Sequence, residues 1–248
     1  MKAQRGIQSV EVGGRLLLAL AHEGRSMALK DLAQAAGMAP PKAHPYLVSF
    51  AKLGLIAQDE ASGHYGLGPL AMQLGLISLQ QSDPVRLASA QLPGLAVALG
   101  QTVGIAVWGS RGATIVRTEP GPLPVHVAMR HGTVMSLRGT ASGKLFAAWL
   151  SHAEIRAGDP SATFDAAFER ELAGVRDSGV AVANDGAVAG IAALAAPVFD
   201  AGNRLVLSLT AIGPGASFDV RPGGAAALLL TSAALELSRQ LGAPVPMR

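Results

Sequence analysis

Three prolines fall within six positions of "GMAPPKAHPYLVSFAKLGLI", at Pro40, Pro41 and Pro45, in a stretch whose apolar spacing is otherwise that of a helix. Proline lacks an amide hydrogen and clashes with the carbonyl four residues before it, so an interior proline costs a helix about 3 kcal/mol or more. In the first turn the amide has no intrahelical partner and that loss nearly vanishes. His44, which precedes Pro45, is also pushed away from helical angles. The segment can then be helical only by starting late: the spacing predicts a regular helix from near Lys42 to His44, with Pro45 inside its first turn, running to about Leu53. On that helix Lys42, Tyr46 and Ser49 share one side at i, i+4 and i+7, while Ala43, Leu47, Phe50 and Leu53 form the opposite, apolar side. The polar side, with His44 beside it, offers donors suited to phosphates or base edges.

The flanking sequence gives this helix a context. Ile7, Val10, Leu16, Leu17, Leu20 and Ala21 form a helical apolar stripe that ends at Gly24. A shorter helix lies in "LKDLAQAAG", where Leu29, Leu32, Ala33 and Ala36 share a face. After the third helix, "GLIAQDEASGHYGLG" reads as strand, polar turn and strand, with Ser62-Gly63 at the tip. Helix, helix, turn, helix and β-hairpin is the order of a winged helix-turn-helix, here residues 1–68. Seven basic residues face five acidic ones before residue 69, two of the chain's net three positive charges, which permits phosphate binding. Ser62, His64 and Tyr65 of the hairpin join Lys42, His44, Tyr46 and Ser49 as candidate contacts to double-stranded DNA. Residues 69–82, "PLAMQLGLISLQQ" and the following Ser, read as a linker helix.

Residues 83–248 follow another pattern. Asp83-Pro84 opens a helix, "PVRLASAQLPGLAVALG", with Asp at the N-cap and a kink or break predicted at Pro93. "TVGIAVWG" and "ATIVRTE" read as strands joined at Ser110-Arg111-Gly112, with "VHVAM" a candidate third. "TASGKLFAAWL" and "TFDAAFERELAGVRDSG" read as helices, "GVAVAN", "GIAALAAPVFD" and "RLVLSLTAIG" as strands, and a last helix runs from about Arg221 to Leu241. Helices mixed with several hairpins predict an α+β domain with a mainly antiparallel sheet flanked by helices.

The chemistry open to this chain is narrow. Its 248 residues include no cysteine, which excludes disulfides, thiolate metal sites and cysteine nucleophiles and fits a reducing, cytoplasmic setting. Gly, Pro or charge breaks every apolar run short of a membrane span, and Glu11 and Arg15 interrupt any secretory apolar region. "GTASGKL", Gly139 to Leu145, has three residues between its glycines and no hydroxyl after Lys144, so it departs from a phosphate loop. Ser142 and Lys144, two apart on a helix, do not face one another as a nucleophilic pair would. His126 and His131 flank a turn without a third ligand, and no metal or cofactor is expected. Thr140, Ala141 and Ser142 instead open a helix whose free amides and positive end favour an anion, with Arg138 adjacent as a bidentate partner. Trp108 and Met129 are candidates for the walls of the same pocket.

In these segments the chain resembles the IclR-type family of bacterial transcriptional regulators. The matching residues are "LKDLAQAAGM", "AHPYLVSFAKLGLI" and "YGLGPLAMQLG", then "GTASGKLFAAWL", "SGVAVANDGAVAGIAALAAPVFD" and "LSLTAIGP", in that order over nearly the whole length. The resemblance implies an N-terminal winged helix, a linker helix and a GAF-like effector domain. It also implies dimers or tetramers that bind an operator and respond to a small organic molecule. By position it places Ala183, Ile191, Ala193, Thr210 and Ile212 in the effector pocket. At Pro45 the family usually carries an Arg that serves DNA binding, so Lys42, Tyr46 or the wing would take over that contact here. A largely apolar pocket with one anionic anchor implies an aromatic or medium-chain organic acid. Two alternatives stay open: a small-molecule sensor or enzyme in the second domain with a degenerate helix-turn-helix, and a constitutive DNA-binding protein with a filled pocket.

Overall fold

A computed structural model describes residues 6–81, 83–123 and 127–244, and the chain divides into two compact units, 1–82 and 83–248. In the first unit α1 (Gln8–Glu23), α2 (Leu29–Ala35) and α3 (Pro40–Leu53) precede a two-stranded hairpin of β1 (Ile56–Gln58) and β2 (Tyr65–Leu67), and α4 (Pro69–Gln81) follows. Leu16, Leu32 and Leu47, one from each of the first three helices, are fully buried and meet Met27, Ile56 and Tyr65 in one core. The stripe of α1 is shifted from its predicted place. Val12, Leu16, Ala19 and Leu20 face inward, whereas Ile7 and Val10 are 69% and 66% exposed.

The third helix starts earlier than the prolines predicted. Ala39 takes the extended conformation required before a proline, with ψ 144°, and Pro40 and Pro41 occupy the first two helical positions. Helix geometry is thereby set from Pro40, and Pro45 falls in the second turn rather than the first. The amide it lacks would have bonded the Pro41 carbonyl. The helix ends in a Schellman pair, Leu55 N–H to Phe50 O at 2.9 Å and Gly54 N–H to Ala51 O at 3.0 Å, with Gly54 at φ 80°. Leu53, predicted on the buried side, is 61% exposed.

The second unit is a five-stranded antiparallel sheet between helices. Its elements are α5 (Pro84–Ser89), α6 (Leu92–Leu99), β3 (Thr102–Gly109), β4 (Gly112–Glu119), α7 (Ala141–Trp149), α8 (His152–Gly158), α9 (Ala166–Ser178), β5 (Ala181–Asn184), β6 (Ile191–Phe199), β7 (Leu205–Pro214) and α10 (Ala225–Gln240). The strand order is β4-β3-β7-β6-β5. Alternation divides the core: Leu194, Val198, Leu207 and Leu209 pack with α5, α6 and α10 on one face. Ala193, Ala195 and Ile212 pack with α7 and α9 on the other. Asp83 caps α5 by accepting from Val85 N and Arg86 N, and Pro93 lies in the first turn of α6, so the predicted kink is a full break.

The structure departs from the sequence expectation in three further places. Val127–Met129 is irregular rather than a strand, and the other part of "VHVAM", residues 125–126, lies outside the described residues. The last helix begins at Ala225, because Pro222, Gly223 and Gly224 occupy a turn before it. Helix α8 is not among the predicted elements, although Ser151 and Glu154 form a reciprocal capping box at its start. No helix among the described residues is long and apolar enough to cross a membrane.

Replacing Pro45 by Ala restores an amide to the middle of an exposed helix face and is expected to stabilise α3 by about 2–3 kcal/mol. Amide hydrogen exchange along α3 should slow accordingly; unchanged or faster exchange would show that the helix is not strained there.

Candidate functional site

Two surfaces carry the residues singled out by sequence. The first is the outer side of α3. Lys42, His44, Pro45, Val48, Ser49 and Lys52 are exposed, and the helix has no carboxylate. Tyr46 turns partly inward: a Cβ on Gly13 of α1 would come within 2.7 Å of its ring, so glycine there admits the aromatic side chain. The Ser49 hydroxyl donates to the Pro45 carbonyl at 3.0 Å.

The hairpin tip is held by its own hydrogen bonds. Asp59 accepts from Ser62 N at 2.8 Å and Ser62 Oγ at 2.7 Å, and the Ser62 hydroxyl is the main cause holding its carboxyl below the usual range. His64 is half-buried, and its amide donates to Ser62 Oγ. Tyr65, expected at the surface, is 7% exposed in the core and exchanges backbone hydrogen bonds with Met27. Its position one strand residue from the tip turns its side chain to the buried face of the hairpin. Asp59 and Glu60 make the tip acidic, whereas α3 carries the exposed cations Lys42 and Lys52 with no carboxylate; Lys30 of α2, Arg15 of α1 and Arg25, paired with Glu23, are the other exposed bases of this unit among the described residues.

The second is a cavity of about 580 Å3 in the second unit. Its floor is the α7 side of β6 and β7, with Ile191, Ala193, Thr210 and Ile212. Thr140, Ala141 and Ser142 at the start of α7 close one end. The irregular segment from Val127 to Ser136, Met129 included, covers it. That segment is tied to β4 by Met135 N–H to Ala113 O at 2.7 Å and Ile115 N–H to Thr133 O at 3.0 Å. The period of two on β7 and the helix start after Thr140 thus bring together side chains that lie 70 positions apart in sequence.

At the α7 end the polar groups converge. The Thr140 hydroxyl accepts from Gly143 N at 3.1 Å and donates to Ser136 O at 2.7 Å. The first-turn amides of Ala141 and Ser142 have no intrahelical partner by position. Ser142 Oγ lies 2.7 Å from Thr210 Oγ1, which lies 3.1 Å from Ser208 Oγ, and all three residues are buried. Three hydroxyl protons share two hydrogen bonds, so one proton is left over. Ser142 and Thr210 line the cavity, and Ser208 lies behind them.

Three expected pocket residues lie elsewhere. Ala183 is buried in the core between the sheet and α9. Trp108 and Arg138 line a neighbouring cavity of about 440 Å3, with Val134 to Ser136 lining both. Arg138 is already committed: it pairs with Asp165 and stacks over Phe168, 4.5 Å from the ring centroid. The Asp165 carboxyl is held low by the Phe168 amide first and by Arg138 second. The cation at the 580 Å3 cavity is instead Arg130, which is exposed and makes no ion pair among the described residues. Nothing in the sequence marked Arg130, because its segment has no regular period. Lys144 bonds Val182 O at 3.0 Å and Glu171 at 2.6 Å, while Ser142 bonds Thr210, so these two side chains form no nucleophilic pair. Among the described residues there is no cluster of three metal-ligating side chains.

Residues 9–60 match the family described as the IclR helix-turn-helix domain, and residues 77–239 match the family described as bacterial transcriptional regulator IclR C-terminal. The glycerol operon regulatory protein of Streptomyces griseus is 32% identical, over 96% of this chain and 98% of its own. The crystal structure of HmgR from Pseudomonas aeruginosa is similar with a TM-score of 0.89 at 35% identity, covering 96% of this chain and 99% of that one. The repressor BlcR of Agobacterium tumefaciens shares the fold, with a TM-score of 0.77 at 19% identity over 97% of this chain and 99% of its own.

Thr210→Val keeps the side-chain shape but strips the middle hydroxyl, leaving Ser142 and Ser208 without their shared partner. A loss of about 1–3 kcal/mol is expected in the second unit. Both tryptophans, Trp108 and Trp149, belong to that unit, so their fluorescence during urea unfolding reports it directly. A triple variant that also carries Ser142→Ala and Ser208→Ala should recover part of the loss, since no buried hydroxyl then lacks a partner.

Proposed function

The chain belongs to the IclR family of bacterial transcriptional regulators, and we propose that it controls a catabolic operon in response to a small organic acid, aromatic in preference to short and highly polar. The observation that carries this reading is the cavity of about 580 Å3, within the size range of small-molecule sites. Val127, Met129, Val134, Met135, Ile191 and Ile212 supply apolar walls that suit a ring. The start of α7 at Ala141 and Ser142, with the positive end of its dipole, and Arg130 suit a carboxylate. The relative in Streptomyces griseus is named for the glycerol operon it regulates, which supports control of a catabolic operon as the class of task.

The winged helices of a dimer would seat α3 of each protomer in successive major grooves of a palindromic operator. Ile7, Val10 and Leu18 leave an apolar strip on α1 that suits self-association. An effector shifts such a regulator only by binding its two arrangements with different affinity.

Two measurements test the reading. Binding to operator duplex should weaken steeply as salt rises, and Lys42→Ala should lower affinity evenly across sequences while reducing the salt slope by about one. In calorimetry, benzoate and phenylacetate should bind and malonate should not, with Arg130→Ala weakening benzoate about tenfold through the lost charge-assisted contact. Tight malonate binding with no response to the aromatic acids would overturn the effector class.

A further inference from the structure

Pro41, Pro45, Val48 and Lys52 lie along the solvent side of α3 at i, i+4, i+7 and i+11, a spacing that keeps side chains on one helix face. All four are exposed, and Val48 leaves 41% of its surface free. The first three have no hydrogen-bonding side chain. Ser49, beside the ridge, spends its hydroxyl proton on the Pro45 carbonyl and so turns an acceptor outward. The opposite side is anchored by fully buried Ala43 and Leu47, which fixes the direction in which the ridge points. Lys42 and Lys52 stand towards its two ends, with no carboxylate on the helix to oppose them.

A face with cations towards its ends and hydrocarbon between fits a partner that is anionic at its rims and apolar at its centre. The major groove of duplex DNA has phosphates along its rims, and its apolar group is the C5-methyl of thymine. Resting on the regulator reading above, we propose that Val48 is a specificity-determining residue that packs on a thymine methyl in each operator half-site, with Pro45 lining the same contact. A G·C pair at that step presents no methyl, so the apolar contact is lost there. The same ridge therefore selects for thymine and against G·C. Lys42 and Lys52 supply the flanking phosphate contacts, which carry affinity without sequence information.

The test enriches duplexes from a random-sequence pool with the full-length protein, then replaces each thymine of the enriched half-site by deoxyuridine, one at a time. Removing a buried methyl corresponds to about a fourfold loss of affinity. At one thymine position the wild-type protein should lose about that factor. Val48→Ala, a change at an exposed position, should bind the parent duplex more weakly and be indifferent to uracil at the same place. If wild type and Val48→Ala respond equally to uracil at every thymine, or if no thymine is enriched opposite α3, the inference is overturned while the regulator reading stands. Enrichment of no duplex at all would overturn both.

Discussion

The cavity of the second unit exists because backbone lies against backbone at glycine. A Cβ on Gly143 would sit 2.8 Å from Leu137 Cα and clash with the Ser136 carbonyl, and one on Gly186 would clash with the Gly139 carbonyl. The turn from Ser136 to Gly139 is thus clamped between the first turn of α7 and the 185–190 loop, where Ala187 N–H reaches Gly139 O at 2.9 Å. That clamp puts Thr140 at the N-cap and the first turn of α7 at one end of the cavity. The first unit closes in a similar way. A Cβ on Gly68 would clash with the Gly54 carbonyl, and Gly68 N–H bonds Leu55 O at 2.8 Å where the hairpin returns to α3. In both units a candidate site is held in place by close approach of the main chain, which no larger residue permits.

Most of the fold was legible because its elements are punctuated by local chemistry. Asp83-Pro84, Gly54, Gly179 and the period of two along β6 and β7 each state a boundary or a face without reference to anything distant. The departures share a cause. Proline rules cannot say which residue becomes the first of a helix, and Pro40 and Pro41 claimed that place ahead of Lys42. Whether Val12 or Val10 of α1 turns inward depends on where α2 and α3 pack, which periodicity alone leaves open. The segment from Val127 to Met135 owes its shape to bonds with β4 and to covering a cavity, neither of which leaves a period in the sequence.

The pocket followed the same division. Thr140, Ala141, Ser142, Ile191, Ala193, Thr210 and Ile212 lie on regular elements and line the cavity together with Met129. Arg138 looked like its anion partner because it adjoins Thr140 in sequence. Asp165, 27 positions later, draws its guanidinium to Phe168 instead. Adjacency in sequence says little about a long side chain whose strongest partner is remote. Arg130 shows the converse, a cation brought to the cavity by an irregular segment with no local signal.

Pro45 weakens the helix it decorates, yet α3 tolerates it for identifiable reasons. The carbonyl it deprives belongs to Pro41, an exposed residue, so water is at hand to offset the missing bond. Ala43 and Leu47 anchor one face in the core, and the Schellman pair at Gly54 fixes the end, so neither depends on what stands at position 45. Anchoring and outward presentation are therefore separable on this helix. A rigid pyrrolidine ring also has almost no side-chain entropy to lose when it is covered, unlike the long arginine the family usually carries there. On the regulator reading proposed above, the ring in place of that cation would forgo one phosphate contact while the buried anchors keep the helix oriented. Recognition would then lean on shape and methyl contact, the one kind of contact that the Pro41–Pro45–Val48 ridge can make.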